Sequence, residues 1–226
     1  MLNDLLNSYG ALLREVDDWF QRCLMQHPEQ ITCRNGCSAC CRGLFDITLL
    51  DAFYLKRGFD LLPKVQMEEK MRLARVRLQQ LTLLNPAFTE PWLLNGIPEN
   101  DWEALMPEED ETPCLLLSER GACMVYDARP MTCRLNGIPL IDVSGEEFFD
   151  EWCTRNFTEV DPRRITELRF EFNELFSREL LLFQKLIHYL TGTIHNEVDL
   201  FIPAAVVLDC GSIGESITAL DGASEK

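Results

Sequence analysis

Cys33-Arg34-Asn35-Gly36-Cys37-Ser38-Ala39-Cys40-Cys41 sets four thiols within nine residues, in the spacing CxxxCxxCC. Thiolates are preferred ligands of zinc, iron–sulfur clusters and copper(I), and close spacing lets several converge on one centre. A looser series, Cys114, Cys123, Cys133 and Cys153, doubles the number of donors. The fold expected is therefore mainly α: a single helical domain organised around a cysteine-ligated metal centre, with long irregular loops.

The short cluster constrains its own geometry. Cys33, Cys37 and Cys40 are separated by steps of four and three, so near-helical backbone would put them on one face, with Cys41 one step around. Adjacent side chains leave the backbone in diverging directions, which suits a shared tetrahedral ion poorly. Either Cys40 and Cys41 serve different metal atoms, or one of them is not a ligand. The eight cysteines would fill two tetrahedral sites, mixed between the two series, and spacing alone does not assign them.

Basic residues sit beside these thiols in a chain that has few. Arg34 follows Cys33, Arg42 follows Cys41, Arg134 follows Cys133, and Arg129 precedes Cys133 by four. Four thiolates around a dication leave a charge of about −2, which neighbouring guanidiniums compensate. These four arginines are the candidates for lining the bound centre behind its sulfur ligands.

Composition bounds the rest. With 226 residues and 46% apolar content the chain can pack a sizeable core without help from metal. Thirty-seven acidic against 21 basic residues give a formal charge of −16. That charge repels phosphate backbones and anionic lipid, so neither nucleic acid nor a membrane is expected as partner. Met1-Leu2-Asn3-Asp4 has no basic start or apolar run of a secretory signal, so a cytoplasmic location is expected. In a reducing compartment the ten cysteines read as ligands or reactive thiols rather than disulfides.

Working outward, apolar residues at steps of three and four from Leu2 through Tyr9 and Val16 to Cys23 predict an amphipathic helix ended by His27-Pro28, with Cys23 in the core. Thr48 and Asp51 form a capping pattern for a helix over Leu49 to about Arg57, and Pro63 opens another to Leu84. Five prolines between Pro86 and Pro113, and the run Glu108-Glu109-Asp110-Glu111, predict a solvated loop packed by Trp92 and Trp102. Ser144 and Glu147 predict a short helix ending near Cys153. Asp161-Pro162 predicts a long helix over about 162–191, closed by Gly192. Its second half is apolar nearly all round from Leu180 to Leu190, which predicts central burial, with His188 a core residue. The expected domain spans 1–215, with a cysteine-cluster core over about 33–153. The segment 216–226 reads as a flexible tail.

Cys33–Arg42, then Pro113-Cys114-Leu115, then Gly121-Ala122-Cys123-Met124-Val125-Tyr126-Asp127-Ala128-Arg129-Pro130-Met131-Thr132-Cys133-Arg134, resemble the CxxxCxxCC zinc- or iron-chelating family, the YkgJ-like cysteine-cluster proteins. The resemblance covers about 33–153 and implies an iron–sulfur cluster or zinc on Cys33, Cys37, Cys40, Cys41, Cys114, Cys123, Cys133 and Cys153. A related branch includes flagellin lysine methylases, so the resemblance also admits methyl transfer.

The first three cysteines match the CxxxCxxC triad of radical S-adenosylmethionine enzymes as well. Ala39 stands where those enzymes carry an aromatic residue, Cys41 adds a thiol where they leave iron open, and strand–helix repeats are missing. That match is the weakest of the three. The chain has only three histidines, His27, His188 and His195, and no GxGxxG, phosphate loop or HExxH. The reading favoured here is an iron–sulfur protein, with a [4Fe-4S] cluster, acting on an unidentified protein partner or substrate. A structural zinc module that presents a surface to a partner is the alternative.

Overall fold

A computed structural model describes residues 1–107 and 109–224; Glu108, Glu225 and Lys226 lie outside the described residues. The long first helix, α1 (Leu2–Gln26), buries Leu6, Tyr9, Leu12, Leu13, Val16, Trp19 and Cys23 and ends at His27. Those positions recur every three or four residues because one stripe of a 3.6-residue helix faces inward. Strand β1 (Asp46–Thr48) runs into α2 (Leu49–Phe59), whose first turn is capped by the Thr48 hydroxyl accepting from the Asp51 N–H at 3.1 Å. Helix α3 (Lys64–Leu84) starts after Pro63 and buries a narrow stripe, Ala74, Leu78 and Leu81.

The proline-rich stretch is not wholly irregular. It contains α4 (Glu99–Leu105), between Pro98 and Pro107, and the Trp102 indole N–H donates to the Leu94 carbonyl at 3.0 Å. Helix α5 (Met131–Leu135) follows and carries Cys133.

Two sequence expectations change downstream. The segment at Ser144–Glu147 is not a helix start but the turn of a hairpin, β2 (Leu140–Ile141) with β3 (Glu147–Phe149). Asp142 rather than Ser144 organises it: the Asp142 carboxylate accepts from the Ser144 N–H at 2.8 Å, and Gly145 takes φ +95°. The long helix, α6 (Phe172–Thr191), begins ten residues later than Asp161-Pro162 suggests; before it lie 3-10 turns at Pro162–Arg164 and Thr166–Leu168. The backbone there is already engaged. The Leu168 carbonyl accepts from the Trp19 indole at 2.8 Å, and Phe170 exchanges bonds with Ile141 and Val143 of the hairpin region. Gly192 closes α6 in the left-handed conformation, φ +75°.

Strand β4 (Asp199–Phe201) pairs antiparallel with β1, Ile47 opposite Leu200, and leads into α7 (Ile202–Val207) and α8 (Ile213–Ser224). Helix α8 overlaps the first part of the stretch 216–226, and its Ile213 and Ile217 are buried. The architecture is mainly α: α1 packs on α2, α5 and α6, while α3 and α2 pack on α7. The second half of α6 is only half covered. Phe183, Leu186 and Ile187 face the core, but Leu181 is 56% exposed and His188 lies on the exposed side rather than in the core. Among the described residues no helix is long and apolar enough to cross a membrane.

Candidate metal centre

The four clustered cysteines ride on two successive turns. The Cys37 N–H donates to the Arg34 carbonyl at 2.9 Å, with Gly36 at φ +87° inside that turn, and the Cys41 N–H donates to the Ser38 carbonyl at 3.1 Å. The chain then pairs with the second cysteine region as a short antiparallel ribbon. Cys114 N–H donates to the Cys41 carbonyl, Gly43 N–H to Thr112, both at 2.9 Å, and Arg42 bridges Pro113. A hairpin turning at Gly121 folds Cys123 back over this ribbon: Ser118 and Met124 donate to Ala122 and Leu116, at 2.8 and 2.9 Å.

Cys153 arrives from a separate turn, held by Asn156. The buried Asn156 amide donates to the Gly137 carbonyl at 2.8 Å and to Cys33 Sγ at 3.3 Å, while its oxygen accepts from the Thr32 N–H at 2.9 Å. Asn156 was not legible as a site residue in the sequence. The only signal is its place three residues past Cys153.

Cys33, Cys37, Cys40, Cys41, Cys114, Cys123 and Cys133 all line one cavity of about 540 Å³; Cys153 is not among the lining residues, and its N–H donates to the Gly137 carbonyl at 3.4 Å. Among the described residues no three Cys, His, Asp or Glu side chains are drawn onto one point as a formed metal site. The donor set nevertheless fits the soft-metal chemistry, because seven thiols line the cavity and no histidine is among its lining residues. Burial pushes the Cys33, Cys114, Cys123 and Cys133 thiols up from their ordinary range. Cys40 is pushed up mainly by its contact with the Cys41 thiol, which is correspondingly lowered. Buried thiols of this kind give up protons to a metal cation, so binding and proton release are linked.

Two of the four arginines form the cationic wall. Arg134 is buried; it donates to the Arg129 and Asp127 carbonyls at 3.0 and 2.8 Å and pairs with Asp17. Arg129 pairs with the same carboxylate at 3.1 Å and lies 3.7 Å above the Tyr126 ring centre. Its charge opposes the upward push on Cys40, Cys123 and Cys133. Arg34 lines the cavity too, whereas Arg42 is tied outside it by Glu111, through the carbonyl at 3.2 Å and the carboxylate at 3.3 Å. The two remaining cysteines, Cys23 and Cys210, do not line the cavity; burial raises each to about 11.

A family model described as "CxxCxxCC: Putative zinc- or iron-chelating domain" matches residues 32–154, more than half of the chain. No curated protein and no solved structure matches it.

Proposed function

Because the chain belongs to the CxxCxxCC zinc- or iron-chelating family, we propose that it is an iron–sulfur protein whose cluster borders an open cleft where a partner or substrate is met. The observation that carries this reading is the cavity itself. Seven thiols share about 540 Å³ with Arg129, Tyr126 and Asn136, which is far more room than a single tetrahedral ion fills. A structural zinc site, by contrast, is closed by its four ligands.

When bound, such a cluster supplies one-electron chemistry, at a potential tuned by charge and hydrogen bonds to sulfur. The chain's own residues supply that tuning. The Asn156 amide donates to Cys33 Sγ, and the Arg129 guanidinium, fixed by Asp17 and Tyr126, offsets thiolate charge on the other wall. Arg134, with three of its donors engaged, holds the Asp127–Arg129 turn against α1.

A structural zinc module is the second reading. It is favoured by one feature: the Asn156 amide ties the turn that carries Cys153 to Cys33 Sγ and to the Gly137 carbonyl, which suits a site closed by its own thiols. Anaerobic purification with analysis for iron, acid-labile sulfide and zinc separates the two. Brown protein with iron and matching sulfide is expected; colourless protein with stoichiometric zinc overturns the iron–sulfur reading.

A further inference from the structure

We propose that the cysteines form two four-thiol sets meeting at the Cys40–Cys41 peptide: Cys33, Cys37, Cys40 and Cys153 in one, Cys41, Cys114, Cys123 and Cys133 in the other. The inference rests on the chelating reading and is indifferent to whether the metal is iron or zinc.

The second set is built on one scaffold. Cys41 and Cys114 are joined by a backbone hydrogen bond of 2.9 Å, with Arg42 opposite Pro113 as the next pair along. Cys123 lies opposite Leu117, so the hairpin returns it to the same ribbon. Cys133 comes in from α5, whose first N–H, that of Met131, is fixed at 2.8 Å by the Asp51 carboxylate.

A different scaffold builds the first set. Cys33 and Cys153 meet through Asn156 and Gly137. The Asn156 amide bonds Cys33 Sγ and the Gly137 carbonyl, Cys153 N–H donates to that same carbonyl at 3.4 Å, and the Cys153 carbonyl accepts from Asn156 N–H at 2.8 Å. At Gly137, φ +114°, an added Cβ would sit 3.2 Å from Cys33 Sγ, so the backbone itself forms the wall behind that sulfur. Cys37 and Cys40 then extend forward from Cys33 on the two successive turns.

The division follows the hydrogen bonds: Asn156 and Gly137 engage Cys33 and Cys153, whereas the ribbon engages Cys41, Cys114 and, opposite Leu117, Cys123. The boundary is the Cys40–Cys41 peptide, where adjacent side chains diverge toward different sets. Two centres so placed would be immediate neighbours.

The test uses the full chain, purified anaerobically, with metal content per folded chain as readout and circular dichroism to confirm folding. C153S and C123S are each expected to lose half the metal of the parent, and C33S/C153S to retain the same half as C153S. C153S/C123S is expected to lose all of it, and C210S none. The partition is overturned if C153S loses all the metal or none, or if C33S/C123S retains half. Should a variant not fold, cobalt(II) titration of the reduced, metal-free parent decides. Two equivalents, each with a tetrahedral four-thiolate spectrum, support the two sets; saturation at one equivalent overturns them. A colourless zinc protein showing the half-losses would sink the iron–sulfur reading while upholding the partition.

Discussion

Along α1 the inward positions, from Leu6 through Leu13 to Trp19, are covered by side chains of other helices; along 33–45 and 112–134 many inward groups are thiols, and their neighbours are each other. Each fully buried aliphatic in the first region contributes about 1.5–3 kcal/mol through apolar burial alone. The second region has a few ribbon hydrogen bonds and three positive-φ glycines, Gly36, Gly43 and Gly121. The helical half holds itself, and the cysteine half is arranged for something else to hold it.

Metal removal breaks or sharpens that contrast most strongly. Structural thiolate sites contribute apparent free energies on the order of 10 kcal/mol or more. Treating the full chain with chelator and reductant should therefore strip hydrogen-exchange protection from the amides of Gly43, Cys114 and Met124, whose bonds join the ribbon. Central amides of α1 and α6 should stay protected. If all of these amides lose protection together, the two halves are one cooperative unit and the contrast is wrong.

The helical half also contains its own polar cluster, and there every group is answered by protein. The Tyr9 hydroxyl lies 2.7 Å from Asp51 Oδ1 and 3.1 Å from Glu179 Oε1. One phenol proton cannot serve both carboxylates, so a protonated Glu179 completes the cluster. Burial first, and then the Asp51 charge, pushes Glu179 up to about 8 from 4.5; Asp199, also raised, stands beyond it. An acid raised in the folded state makes the folded chain bind more protons than the unfolded one. Its contribution is complete below about pH 4.5 and is lost as pH rises through about 8. E179Q, whose amide can still donate to Tyr9, should flatten the fall in stability over that window by several kcal/mol, up to about 5, read by denaturant midpoints at each pH. An unchanged slope would show that Glu179 is not the titrating group.

What the sequence made legible follows the same division. Periodicity placed α1, and the signals at Thr48, Pro63 and Gly192 placed ends of α2, α3 and α6, because helix ends are set by local backbone chemistry. Local signals misled at Ser144, where the Asp142 carboxylate two residues earlier takes the Ser144 N–H into a turn, and at Asp161, where the Leu168 carbonyl is engaged from far along the chain by the Trp19 indole. The exposed side of α6 was missed because apolar content says how much a helix could bury, not which neighbours arrive. For the candidate site, the spacing brought out the clustered thiols and Arg129 and Arg134. It could not bring out Asn156 or Asp17, since Asn156 reaches Cys33 and Asp17 reaches Arg134 across more than a hundred positions.

The smallest predicted effect tests the seam between the halves. The Thr48 hydroxyl satisfies the Asp51 N–H at the start of α2, and the Asp51 carboxylate in turn fixes the Met131 N–H that opens the Cys133 helix. Removing the cap in T48A should cost about 1 kcal/mol, which for a chain of this size lowers the melting temperature by roughly 2–4 °C. T48S should restore most of it. If the helical half is self-supporting, the loss stops there, because Asp51 stays held by Tyr9 and by its burial, and metal content per folded chain is unchanged. A fall in metal content in T48A would mean that the strain passes along Asp51 to Cys133. The cysteine face would then depend on the helix cap, and the boundary between the halves would have to be drawn beyond α5.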